Sequence, residues 1–220
     1  DAIRIATHGR PGPVWIDIPM DVQGAQFTTV YELIRKAERP LILAGNGINC
    51  AQARDEFVDF VQSTNIPVVT TYNAVDIFPS CYDNYVGRVG IKGTRAGNFA
   101  MQNCDLLLVI GSRLPVPVTG YNYKTFAREA MVVVVDIDKE EHSKNTVGID
   151  WFIHRDVKDF LTLNKFDRPK YGWNKTCSRW RDQWPVCPSE NPSEKVDLYY
   201  FMKVLNERKR NDDVVISDAG

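Results

Sequence analysis

The chain has 220 residues, 44% of them hydrophobic, which is enough for one substantial core and excludes an intrinsically disordered chain. Its 27 Lys and Arg against 28 Asp and Glu leave a net charge of -1, so no field draws it to nucleic acid or to an anionic membrane. No apolar run approaches the roughly 20 residues that span a bilayer.

At the amino-terminal end, Ala2, Ile3, Ile5 and Ala6 read as the end of an amphipathic helix, stopped by Gly9 to Pro13. Val14 to Ile18 reads as a short buried strand, ended by Pro19. Pro40 to Ala44 is the next strand, and Gly45-Asn46-Gly47 is its exit turn. A helix is expected from about Cys50 to Ser63, with Asn49 as N-cap and Ala53, Phe57, Phe60 and Val61 on its inner face. Ile66 to Thr70 is a strand, and Tyr72 to Gly93 reads as irregular, carrying Gly87, Gly90 and Gly93. A helix follows over Thr94 to Asn103, then a strand over Asp105 to Ile110 that leaves through Gly111-Ser112-Arg113. Met131 to Asp136 and Trp151 to Ile153 are further strands, and Asp156 to Leu163 is a helix. Asn164 to Pro192 reads as a linker whose helix packs back through Trp173, Trp180 and Trp184. Lys195 to Arg210 reads as an amphipathic helix with Leu198, Phe201, Met202 and Leu205 inward, and Asp213 to Ser217 as a last strand.

Runs of Val, Ile and Leu without polar alternation mark strands buried on both faces. The fold class is therefore α/β, a doubly wound, mostly parallel Rossmann-like sheet over about Arg39 to Leu163. The helix-strand remnant in front and the strand behind read as pieces of neighbouring domains.

Ligands of such sheets sit beyond the carboxyl ends of the strands. Gly45, Asn46 and Gly47 there let a backbone approach a phosphate, Arg113 offers a guanidinium, and Asp136 and Asp138 stand where an acid holds a ribose hydroxyl. Each has a plainer reading: glycines for tight turns, an ordinary ion pair for Arg113, a helix cap for Asp136. Cys50 fills the third glycine position of the dinucleotide fingerprint, against a plain NAD dehydrogenase. Five scattered cysteines without a CxxC pair point to reduced thiols and a cytoplasmic protein. His8, His142 and His154 match no metal spacing, and no nucleophile elbow or P-loop is present. Glu140 and Glu141 read as a solvated helical turn; Arg88 and Lys92, in the glycine-containing loop, read either as cations facing a ligand phosphate or, more plainly, as surface cations. No catalytic residue and no metal-ligand set is assigned.

Six segments in order resemble the thiamine-diphosphate-dependent enzymes of the acetolactate synthase group. They are Gly9 to Val22, Arg39 to Gly47, Asn103 to Arg113 with Val118 to Gly120, Val135 to Asp138, Trp173 to Pro185, and Val214 to Gly220. The resemblance implies residues 1–28 closing a pyrimidine-binding domain, 29–165 as the central domain, 166–193 as a linker and 194–220 opening a diphosphate-binding domain. It implies a parent with thiamine diphosphate and Mg²⁺ that decarboxylates or ligates 2-oxo acids, as a lyase or transferase and a homo-oligomer. The activating Glu and the metal motif of the group would lie in the flanking domains, so this segment alone is expected to hold no thiamine diphosphate and to be inactive. The group's central domain carries FAD, which by resemblance would meet Gly45, Asn46, Gly47, Gly111, Ser112, Arg113, Val118 and Asp156; Lys92, Asp136 and Asp138 are further candidate cofactor contacts. Pro115 and Pro117 replace an acidic and a basic position, and Lys92 replaces a His, so FAD, an ADP-containing ligand and an empty pocket all stay open. The alternative is an autonomous FAD- or ADP-binding module of electron-transfer-flavoprotein or sirtuin-like type.

Overall fold

The computed structural model describes residues 30–163, 172–192, 194–210 and 212–216. The expected helix end and strand before residue 30 lie outside them. A helical stretch at 30–36 precedes β1 (Pro40–Ala44), α1 (Gly47–Cys50), α2 (Arg54–Thr64), β2 (Val68–Thr70) and β3 (Tyr85–Arg88). Next come α3 (Arg95–Asn103), β4 (Leu106–Ile110), α4 (Val116–Thr119), β5 (Met131–Asp136), β6 (Trp151–His154) and α5 (Val157–Leu163). Helices α6 (Trp173–Gln183) and α7 (Leu198–Arg208) follow.

The six strands form one all-parallel sheet in the order β3-β2-β1-β4-β5-β6. Successive strand side chains point to opposite faces, and both faces are apolar. In β1, Ile42 and Ala44 join a core with Phe57, Phe60 and Phe160 from α2 and α5. Leu41 and Leu43 join the other core, with Ala96 and Ala100 of α3 and Trp173 and Cys177 of α6. The doubly wound α/β fold expected from the sequence is the one observed. The central pair β1–β4 is also fastened at its amino end, where the Asp105 carboxylate accepts from the Glu38 and Arg39 amides at 2.8 and 2.9 Å.

Four local expectations are corrected. The single helix from Cys50 is two, because Gln52 takes a left-handed φ of 50° between α1 and α2. Asn49 therefore lies inside α1 and caps nothing; its amide reaches Asn46 and Asp76. The segment Tyr72 to Gly93 contains the edge strand β3, with an irregular register against β2 at Val68/Val69. The face of α7 is not inward: Leu198 is 75% exposed, Phe201 49% and Met202 48%, since no described element covers it. Residues 213–216 form no strand, having no neighbour to pair with among the described residues.

Candidate functional site

The chain reverses its winding direction between β1 and β4, so their exit turns meet at the carboxyl edge. The Gly45 amide donates to the Ile110 carbonyl at 2.9 Å, and the Gly47 amide to the Gly111 carbonyl at 2.8 Å. A Cβ on Gly45 would overlap the Gly111 oxygen and lie 2.5 Å from the Ser112 Cβ. Gly111 has a φ of +61°, and a Cβ on it would sit 2.9 Å from the Gly47 Cα. These three glycines are thus required by two turns pressed together, and the space beside them is filled by backbone. The donors a phosphate would use at Gly45, Gly47 and Ile48 are bonded within the protein.

Beyond β5 the carboxylates are likewise engaged. One Asp136 oxygen accepts from the Asp138 amide at 3.0 Å, and the other lies 3.4 Å from Nε2 of the buried His142. Burial raises the Asp136 pKa, but the His142 contact and the Asp138 and Ile137 amides outweigh it and hold the carboxyl below its ordinary value. Asp138 accepts from the Glu141 amide at 2.9 Å, and Asp156 from the Lys158 amide at 2.7 Å, each stabilising the start of a helical turn. Arg113, 70% exposed, lies 3.6 Å from Glu141, which also takes Lys144 at 2.7 Å. The Lys144 hydrogen bond is the main cause holding the Glu141 carboxyl below its ordinary value, ahead of the Arg113 charge.

The structure therefore brings together Gly45, Asn46, Gly47, Gly111 and Ser112, and joins Arg113 to Asp136 and Asp138 through Glu141. Val118 is buried in the core with Leu114 and Phe126. Lys92 follows β3 and Asp156 follows β6, the two outer strands, which stand roughly 24 Å apart at ordinary strand spacing. Lys92 lies over the Tyr72 ring at 5.7 Å, beside an apolar cavity of about 280 Å³. Sequence reasoning missed Glu141 and His142 as partners here. The spacing of Asp138 to Glu141, that of a side chain capping its own third-next amide, was the available signal. Nothing local foretold the approach of His142 to Asp136.

The family model for the thiamine pyrophosphate enzyme central domain matches residues 27–163. The chain belongs to that family. This central domain is similar along its whole length to the acetolactate synthase isozyme 2 large subunit of Escherichia coli, at 32% identity and over 43% of that protein. The acetolactate synthase large subunit of Corynebacterium glutamicum is 36% identical over all of this chain and 40% of its own. A probable acetolactate synthase large subunit of Methanocaldococcus jannaschii is 37% identical over 73% of this chain and 31% of its own. The chain thus spans less than half the length of these curated relatives. Among the described residues no group of three His, Cys, Asp or Glu could hold a metal ion, and no helix is long and apolar enough to cross a membrane.

Proposed function

We propose that this domain is the middle part of a thiamine-diphosphate- and Mg²⁺-dependent enzyme that decarboxylates or ligates 2-oxo acids, and that its own task is to hold the flanking cofactor domains in place. The observation that carries this is the alignment of the whole chain, beyond the 27–163 core, with an acetolactate synthase large subunit. The proposed division is 1–28, 29–165, 166–193 and 194–220, the first and last parts belonging to the flanking domains. The proposed parent is a homo-oligomer of the cytoplasm, in keeping with five free thiols. Thiamine diphosphate supplies the electron sink for breaking the bond beside the 2-oxo group. The residues of this chain supply rigidity: apolar cores on both faces of the sheet and two interlocked turns at its carboxyl edge.

The same turns bear on FAD or an ADP-containing ligand at Gly45 to Gly47 and Gly111 to Arg113. The Gly45, Gly47 and Ile48 amides are bonded within the protein, the glycines are filled by one another and the carboxylates of Asp136, Asp138 and Asp156 are taken by amides, an arrangement that does not favour a diphosphate there. A titration with FAD is expected to show no affinity that depends on Arg113; tight binding abolished by Arg113→Ala overturns this part. The main reading is tested with a polypeptide extended through the neighbouring coding sequence on both sides. Pyruvate decarboxylation or condensation that needs both thiamine diphosphate and Mg²⁺ is expected from it and not from the chain alone. An extended protein that binds no thiamine diphosphate sinks the proposal.

A further inference from the structure

Strand β3 is the last on its side of the sheet, so its outer edge has no strand beside it among the described residues. Helix α6 packs against that strand and against α3. The Arg181 Nη1 donates to the Tyr82 carbonyl at 3.2 Å and to that of Tyr85, the first residue of β3, at 2.9 Å. Asn174 Nδ2 donates to the Asn65 carbonyl at 2.6 Å. Trp180 and Trp184 set their rings edge-on to Phe99 of α3, at 5.9 and 5.0 Å between centroids. Against these fastenings stand three weaknesses. The helix has 11 residues and its Gly172 N-cap supplies no side-chain bond, and a helix that short is marginal alone in water. Trp173 Nε1 and Asn174 Oδ1 are buried with no hydrogen-bond partner among the described residues, a cost that water removes when the helix lifts. A cavity of about 620 Å³ is lined by Arg181, Trp184, Val86 and Gly87, so packing under the carboxyl end of α6 is loose.

We propose that α6 is a strap latched by Arg181, which lifts as a unit while the sheet stays folded and so bares the edge of β3. The strap does not depend on the thiamine reading. Cys177 reports the opening: it is 1% exposed on α6, and burial pushes its thiol up to about 12, so iodoacetamide reaches it only when the helix lifts. The test is the labelling rate of Cys177 in the chain at increasing urea, read by mass spectrometry, beside the urea unfolding of the whole chain. Labelling is expected to depend on urea with a shallower slope than global unfolding, because lifting one helix exposes less surface. Arg181→Met is expected to speed it about tenfold, the size of one charge-assisted hydrogen bond. Arg179→Met, at an exposed position of the same helix, is expected to leave it unchanged. Phe57→Leu, in the core on the opposite face of the sheet, is expected to lower the urea midpoint without changing the labelling, since it weakens the closed and lifted forms alike. Four results overturn the strap: labelling unmoved by Arg181→Met, equal speeding in Arg179→Met, speeding in Phe57→Leu, or a urea slope equal to that of global unfolding.

Discussion

Asp136 accepts an amide and faces His142 in a place almost closed to water, and this makes its charge matter for stability. Its folded pKa lies below the ordinary 3.8, so its stabilising effect is complete well above that value. The effect is lost as the pH falls through the depressed folded value. Denaturant unfolding across acid pH is therefore expected to show the parent chain converging on Asp136→Asn as the pH drops, with a constant gap nearer neutrality; a gap that persists into acid contradicts this. Gly45 offers a steric counterpart. Gly45→Ala drives a methyl into the Gly111 carbonyl and is expected to cost about 1–3 kcal/mol by overpacking. Gly148→Ala, with nothing within 4 Å, is expected to stay within about 0.5 kcal/mol in the same unfolding assay.

Among the elements, those defined by hydrophobic runs were legible in the sequence, and those shaped by long-range contact were not. Pro40–Ala44 and Met131–Asp136 match their expected limits because a run of Val, Ile and Leu between Gly or polar residues states both burial and length. Strand β3 was hidden because Gly87 sits at a φ of +142° in an irregular register, where a side chain would overlap Thr94. The inner stripe of α7 was read from periodicity alone, which marks an apolar face without saying what covers it. The site was legible as positions and not as partners: the sequence shows glycines at two strand exits, but only the sheet order presses them together. Thr94 links these scales, capping α3 and filling the space beside Gly87. Thr94→Ala is expected to destabilise the chain by about 1 kcal/mol, read from the denaturant midpoint at unchanged slope.

Taken together, the described residues form a sheet between two apolar layers, with a helix beyond whose apolar face none of them covers. Truncating the fully buried Phe57 is expected to cost about 3–5 kcal/mol, whereas Leu198→Ala in α7 should fall within about 0.5 kcal/mol. Equal costs, measured by equilibrium unfolding, would mean that α7 is packed after all. The fastening of β1 to β4 also sets a timetable. The Asp105 carboxylate reaches the Arg39 amide 66 residues away, and the Gly45 and Gly47 amides close the other end of the pair on Ile110 and Gly111. On the ribosome, β1 emerges long before its central neighbour and waits with one hydrogen-bonding edge bare. Pairing β1 with β4 therefore has to close a long loop, and a nascent chain stalled before Leu106 is expected to present an unpaired strand edge to chaperones.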